Sequence, residues 1–254
     1  MRMGVAGIAG RMGRLLVEEI RAAGHEMVGG ICRPPDQPPG GETIFPDIAA
    51  LAAAADLVID FTAPEAAPAH AAALAAAGRP YLVGTTGLSA AQEAALRQAA
   101  SRIPVMYAPN YAPGVTLALV LAERIAAALP AADYDAEIVE MHHRQKVDAP
   151  SGTALGLGQA VAAGRGVVLA DVAESGRDGH TGPRRPGAIG FAALRGGQVV
   201  GEHSVIFAGA SEHLALTHRA FDRRVFATGA VRAAAWLAAR PPGLYDMRDV
   251  LGLR

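Results

Sequence analysis

Three glycines around the end of the first apolar run constrain this chain more than any other feature. Residues 3–8 (MGVAGI) read as a short strand, and Gly7, Gly10 and Gly13 follow at three-residue spacing. An amphipathic stretch then runs from 11 to 23. A strand that turns sharply through glycine into a helix leaves free N–H groups at the helix start, where the backbone can approach a pyrophosphate. The spacing is G-x-x-G-x-x-G, looser than G-x-G-x-x-G, so the strand-before, helix-after context carries the reading. A tight strand–helix turn with no ligand is the bland alternative.

Four more short apolar runs follow, at 27–31, 56–61, 80–83 and 104–107. The second is ended by Arg33-Pro34-Pro35, and helix-like stretches lie at 64–77 and after Ser89 up to 100. Pro64 suits a first helical turn, with Thr62 as its expected N-cap. Strands alternating with helices predict an α/β fold, a Rossmann-like doubly wound parallel sheet. After about residue 130 the pattern changes. Runs at 134–141, 188–194, 199–208 and 214–218 are joined by glycine turns such as Arg195-Gly196-Gly197, with a helix at 152–163. That predicts an inserted α+β domain on an open mixed sheet, before a last helix at 221–239 packs back on the first half with Trp236 on its buried face. The expected division is a dinucleotide-binding domain of 1–112 plus 219–254, and a substrate-binding and oligomerisation domain of 113–218. Hinges are expected near 112–114 and 219–222.

The rest of the composition narrows the classes. With 51% hydrophobic and 19% charged residues, the chain can build a core; its net charge of −1 offers no global attraction to nucleic acid or an anionic membrane. The most apolar stretch, 112–122, is stopped by Glu123 and Arg124, short of a membrane span. Arg11 and Arg14 interrupt any signal-like run. A lone cysteine excludes an intramolecular disulfide, so a cytoplasmic protein is expected.

Past the second strand, where NAD-preferring folds place a carboxylate for the ribose, stand Cys32 and Arg33. Arg33 can pair with a 2′-phosphate, which favours NADPH and leaves NADH possible; a solvated loop charge is the alternative. Gly84-Thr85-Thr86 and Ala108-Pro109-Asn110-Tyr111 fall at later strand ends, where open α/β sheets bind ligands. Together with Gly7, Ile8, Ala9, Gly10, Arg11 and Met12 they form the expected cofactor site.

The densest chemistry lies in residues 140–154, EMHHRQKVDAPSGTA. Either His142 or His143 can serve as a general acid near neutral pH. Lys146 can hold an anion or oppose developing negative charge. Ser151-Gly152-Thr153 reads as a capped helix start whose N–H groups can cradle a carboxylate. No metal is expected, because no suitably spaced Cys, Asp or Glu completes a site around the histidines. The bland alternative is a solvated polar loop.

The chain resembles the 4-hydroxy-tetrahydrodipicolinate reductase (dihydrodipicolinate reductase) family of lysine and diaminopimelate biosynthesis. The resemblance rests on GIAGRMG at 7–13, DFT at 60–62, GTTG at 84–87 and HHRQKVDAPSGTA at 142–154. It continues through GHTG at 179–182, PGAIGF at 186–191, VGEH at 200–203 and GLYDMRDVLGL at 243–253. It implies His142 as proton donor with Lys146 as its partner; His143, Gly152 and Thr153, beside Ser151, would bind a small dicarboxylate. It also implies an NAD(P)H-dependent reductase and a homotetramer assembled through the second domain's sheet. Two departures concern the cofactor: several relatives have Glu at the place of Cys32, and some a basic residue at that of Ala63. Two other classes stay open, a Rossmann-type oxidoreductase for a different amino or imino acid and a non-catalytic dinucleotide sensor.

Overall fold

The computed structural model describes residues 1–33, 36 and 38–254, so the expected stop of the second strand at Pro34-Pro35 lies outside the described residues. The chain forms two compact units, Met1–Pro113 with Arg224–Arg254, and Gly114–Arg223.

The first unit is built on a six-stranded parallel sheet. Its strands are β1 (Arg2–Ala6), β2 (Glu26–Ile31), β3 (Leu57–Asp60), β4 (Tyr81–Val83), β5 (Pro104–Tyr107) and β11 (Gly243–Tyr245), in the order β11-β5-β4-β3-β1-β2. Side chains alternate along each strand, so the sheet buries both faces, as a parallel sheet must. On one face Met3, Val5, Leu57, Ile59, Leu82 and Met106 pack under α1 (Arg11–Ala22), α8 (Arg224–Leu237) and α9 (Met247–Leu251). On the other, Ala6, Val58, Tyr81, Val83 and Val105 meet α2 (Ile48–Ala54), α3 (Ala67–Ala77) and α4 (Ala90–Ala100). This is the doubly wound arrangement.

Local rules place most boundaries. Gly13, Leu16, Val17 and Ile20 make the buried stripe of α1 at helical spacing. Ser89 accepts from the Gln92 N–H while Gln92 caps in return, fixing the start of α4. Gly78, at φ 64°, ends α3 in the left-handed region.

Thr62 is not the N-cap expected of it. Its hydroxyl and its N–H both bond the Asp60 carboxylate, and Ala63 opens the 3-10 turn Pro64–Ala66 without a side-chain cap. The turn starts one residue later than expected, and the Thr62 side chain is drawn to the buried carboxylate two residues upstream. The sixth strand, β11, went unread because three residues carry too little periodicity. Trp236 is half-buried, stacked edge-on with Tyr245 and covered by the Arg240 guanidinium. The last helix starts at Arg224, and Phe221 stands 88% exposed outside it.

The second unit holds a five-stranded mixed sheet ordered β10-β9-β6-β8-β7. The strands are β6 (Asp135–His142), β7 (Ala173–Ser175), β8 (Ile189–Arg195), β9 (Gly201–Ala208) and β10 (His213–Ala220). β6 pairs antiparallel with β9 and parallel with β8. Helices α5 (Pro113–Ala128) and α6 (Gly152–Gly164) supply Ala118, Ala122, Leu157 and Val161 to a core shared with Ile138, Ile189, Val205 and Phe207. The short α7 (Leu169–Val172) precedes β7. The apolar stretch read at 112–122 thus lies in α5 from Pro113 onward. Among the described residues no helix is long and apolar enough to cross a membrane.

Candidate active site

In the first unit five loops follow the carboxyl ends of β1, β2, β3, β4 and β5. Gly7 turns out of β1 at φ 83°, a conformation that L side chains rarely adopt, and a Cβ there would lie 2.8 Å from the Phe61 carbonyl oxygen. A Cβ on Gly13 would lie 2.2 Å from the Gly7 carbonyl oxygen, so α1 can seat against the turn only with glycine. No side chain caps the first turn of α1, and Gly10 holds the N-cap position. The Gly10 N–H closes the turn on the Gly7 carbonyl, so the amides suited to an anion are those of the uncapped first turn of α1, with Ile8, Ala9, Arg11 and Met12 around it. The Gly7 and Ile8 N–H groups both bond the Ile31 carbonyl, which sets the end of β2, with Cys32 and Arg33, beside the glycine turn. The Cys32 thiol faces the Asp36 carbonyl at 3.5 Å, and Arg33 is exposed.

The remaining strand ends are tied into the same edge. The Thr85 hydroxyl donates to the Thr62 carbonyl at 3.2 Å. Tyr111 donates to the Val83 carbonyl at 2.7 Å, and its ring tilts against Phe61 at 5.9 Å. Asn110 accepts from the Ala112 N–H. Gly84 leaves room for the Phe61 ring, Ala108 is buried, and Thr86 and Pro109 are exposed. Under the edge lies Asp60, fully buried, which accepts from Tyr81 at 2.6 Å and faces His70 Nδ1 at 2.6 Å. A glycine cradle and uncapped helix amides, with Cys32 rather than a carboxylate directly after β2, fit a dinucleotide.

The second unit gathers the ionisable groups. Along β6 the buried positions are Ala136, Ile138, Glu140 and His142, so the apolar face of the strand ends in a carboxylate and an imidazole. Glu140 Oε2 stands 2.6 Å from His142 Nδ1. Its two oxygens accept from both Nη atoms of Arg195, at 2.7 and 2.8 Å, and Oε1 also accepts from the Ser151 N–H at 3.1 Å. Burial pushes the Glu140 carboxyl upward, but Arg195 and His142 outweigh it and hold the group below the usual carboxylate range.

Ser151 caps α6 through the Ala154 N–H and meets His203 Nε2 at 2.9 Å. His203 is the cross-strand partner of Glu140, and its ring stands edge-on to His142 at 5.0 Å. Burial first, and the charge of His142 second, press its pKa down to about 4. The loop after β6 carries Lys146, whose Nζ bonds Asp148 at 2.8 Å; Arg195 reaches the Asp148 carbonyl at 2.7 Å. That contact with Lys146 first, and Arg195 also, depress the Asp148 carboxyl. His143 Nε2 faces Arg223 Nη2 at 3.3 Å, Gly152 is exposed and Thr153 half-buried at the first turn of α6.

His142 and Ser151 are thus joined through one carboxylate, whereas the hydrogen bond of Lys146 goes to Asp148. Glu140, Arg195 and His203 went unassigned in the sequence. The available signal was the i, i+2 placement of Glu140 and His142 on the face shared with Ile138. Among the described residues, no group of three or more His, Cys, Asp or Glu could hold a metal ion.

Comparison with known proteins agrees with this layout. The family described as "Dihydrodipicolinate reductase, N-terminus" matches residues 1–111, and "Dihydrodipicolinate reductase, C-terminus" matches 114–251. The chain belongs to the dihydrodipicolinate reductase family. It is 63% identical to the 4-hydroxy-tetrahydrodipicolinate reductase of Granulibacter bethesdensis, over all of this chain and 98% of that one. Identity to the enzyme of the same name from Gluconacetobacter diazotrophicus is 61%, over 100% and 98% of the two chains. A dipicolinate-bound dihydrodipicolinate reductase from Paenisporosarcina sp. TG-14 superposes with a TM-score of 0.79 at 25% identity, covering 97% of each chain. As a dihydrodipicolinate reductase family member, the protein is an oxidoreductase that uses NAD(P)H.

Proposed function

We propose that this chain reduces 4-hydroxy-tetrahydrodipicolinate to tetrahydrodipicolinate in lysine and diaminopimelate biosynthesis, with His142 as proton donor. The observation that carries the reading is the shared carboxylate: Glu140 holds the His142 ring through one oxygen and the start of α6, at Ser151, through the other. A proton source and an anion-binding helix start are fixed to one point, as a proton-requiring dicarboxylate substrate demands. The relatives' names and the dipicolinate bound to the Paenisporosarcina enzyme support a substrate of that class.

The substrate is a cyclic imine with two carboxylates and a 4-hydroxyl; loss of water conjugates it and makes C4 electrophilic. The bound reduced nicotinamide supplies the hydride to C4. Electron density then sits on an enamine, whose C3 takes a proton from His142. Ser151, Gly152, Thr153 and His143 hold a carboxylate, and Lys146 offsets charge at the same anion. Gly7–Met12, Gly84–Thr86 and Ala108–Tyr111 hold the dinucleotide. Arg33, with Cys32 rather than a carboxylate before it, favours NADPH, with NADH used as well. The reading includes a cytoplasmic homotetramer; light scattering checks the assembly.

The test is absorbance at 340 nm with NADPH and then NADH, the substrate being made in situ from pyruvate and aspartate semialdehyde by the preceding synthase. Oxidation that requires both the substrate and His142 is expected. Cofactor binding without turnover, beside a working synthase, would point to another substrate or to a sensor.

A further inference from the structure

The His142 ring offers two nitrogens, and a proton donor is useful only if the correct one carries and releases the proton. Nδ1 is committed to Glu140 at 2.6 Å inside the sheet. No protein group among the described residues bonds Nε2. That nitrogen is uncovered because position 201 on the paired strand is glycine: a Cβ there would stand 3.0 Å from it. Glu140 is itself fixed. Its side chain is 1% exposed, and three donors besides the histidine, two from Arg195 and the Ser151 N–H, leave it one orientation.

The proton inventory excludes the neighbouring ring. The Ala154 N–H donates to Ser151 Oγ, and the 2.9 Å contact between that oxygen and His203 Nε2 fits either atom as donor. Buried beside His142, His203 stays neutral down to about pH 4, and among the described residues no carboxylate bonds its ring. The charged and titratable groups facing the pair are Glu140 from β6, Arg195 from β8, His218 from β10, and Lys146 and Asp148 from the loop. Among the described residues, only Glu140 bonds a ring nitrogen of His142.

We infer that Glu140 is a positioning residue that selects Nε2 of His142 as the proton-donating nitrogen, by holding the opposite N–H in a buried carboxylate locked by Arg195. The inference rests on His142 being the donor proposed above. The step balances simply. The imidazolium gives its Nε2 proton to substrate C3 and becomes neutral, keeping Nδ1–H because Glu140 accepts it. Free imidazole side chains favour the other neutral tautomer, Nε2–H, so without Glu140 the product ring is the wrong one.

The test begins with the unliganded wild-type enzyme. Nitrogen NMR of the ring, read at a pH where His142 is neutral, is expected to show Nδ1–H; an Nε2–H ring overturns the inference and needs no variant to do so. Glu140→Gln is then compared with wild type after circular dichroism has verified its fold. Its amide must turn either NH2 or oxygen toward a ring or a guanidinium that each require an acceptor, so the tautomer is expected to shift. The expected kinetic result is a kcat lower by roughly 10–10³-fold, with KM changed far less. An unchanged kcat in a folded Glu140→Gln overturns the role.

Acting through His142 has a further signature. In a His142→Gln background, Glu140→Gln is expected to cost little more, whereas the same fractional loss in both backgrounds would mean a structural role only. A wild-type kcat in His142→Gln alone would remove the donor assignment and this inference with it. A wrong tautomer in an enzyme that still needs His142 removes this inference alone.

Discussion

Arg195 and Glu140 meet through two parallel hydrogen bonds, at 2.7 and 2.8 Å, from adjacent strands of the second sheet. The carboxylate is buried and the guanidinium 21% exposed. Removing the cation would leave a buried charge with the histidine and one backbone N–H as its partners. Arg195→Met is therefore expected to lower stability by about 3 kcal/mol, the low end for breaking a buried pair, since Arg195 retains some solvent. Urea unfolding of the two proteins measures it. A change below about 1 kcal/mol would mean that the pair is as weak as a surface one.

Turnover gives a second expectation. His142→Gln is expected to lower kcat by roughly 10²–10⁴-fold, the scale of a positioned acid. Lys146→Gln is expected both to slow turnover and to raise KM, because its ammonium carries binding and charge stabilisation together. Steady-state kinetics on the coupled assay separates the two. An effect of Lys146→Gln on stability alone would place it outside the site.

His203 makes stability depend on pH with a definite sign. Its folded pKa, about 4, lies below the ordinary 6.5, so between these values the unfolded chain binds the extra proton. Stability then falls as pH drops from about 6.5 to 4, by something on the order of 3 kcal/mol if the ring stays buried. His218, also depressed by burial, acts in the same direction, and Glu140 adds a loss as pH falls through its own lowered range. Denaturant titrations at pH 7 and pH 4.5 should show the slope reduced in His203→Gln. An equal slope in that variant would assign the effect to His218, because the loss from Glu140 falls below this window.

The glycine turn predicts a contrast between neighbours. Gly13→Ala places a methyl 2.2 Å from a backbone carbonyl, where nothing flexible can yield, against 3.2 Å for Gly10→Ala. The first is expected to cost about 1–3 kcal/mol and to weaken NADPH binding at least tenfold; the second is expected to be milder. Calorimetric titration with NADPH and thermal melts report both. Equal behaviour of the two variants would mean that the α1 start does not set the binding turn.

The proposed preference for NADPH is tested at the end of β2. Arg33→Ala is expected to raise KM for NADPH about tenfold with little change for NADH, and Cys32→Glu to shift preference toward NADH. KM ratios for both cofactors decide it. An equal change for the two would remove Arg33 from contact with a 2′-phosphate.

Much of this protein was written in short-range pattern. The glycine turn, the Ser89 and Ser151 caps and the alternation of strand with helix are decided by residues within a turn or two of each other, so they could be read directly. His142 and Ser151 were legible for the same reason. Thr62 differs from its expected role because the Asp60 carboxylate draws its side chain only once burial has removed water from that carboxylate. Glu140 was visible as the residue two before His142, but what it does depends on Arg195, 55 residues away, and on His203 across the strand pair. Alternation along a strand tells which residues share a face; it does not say which strand lies beside it or in what register. The sequence alone therefore determined the family, the two kinds of sheet and the local turns. Only the tertiary structure, by setting the register of β8 and β9 against β6, decided which ring is held by a buried charge and which is left neutral.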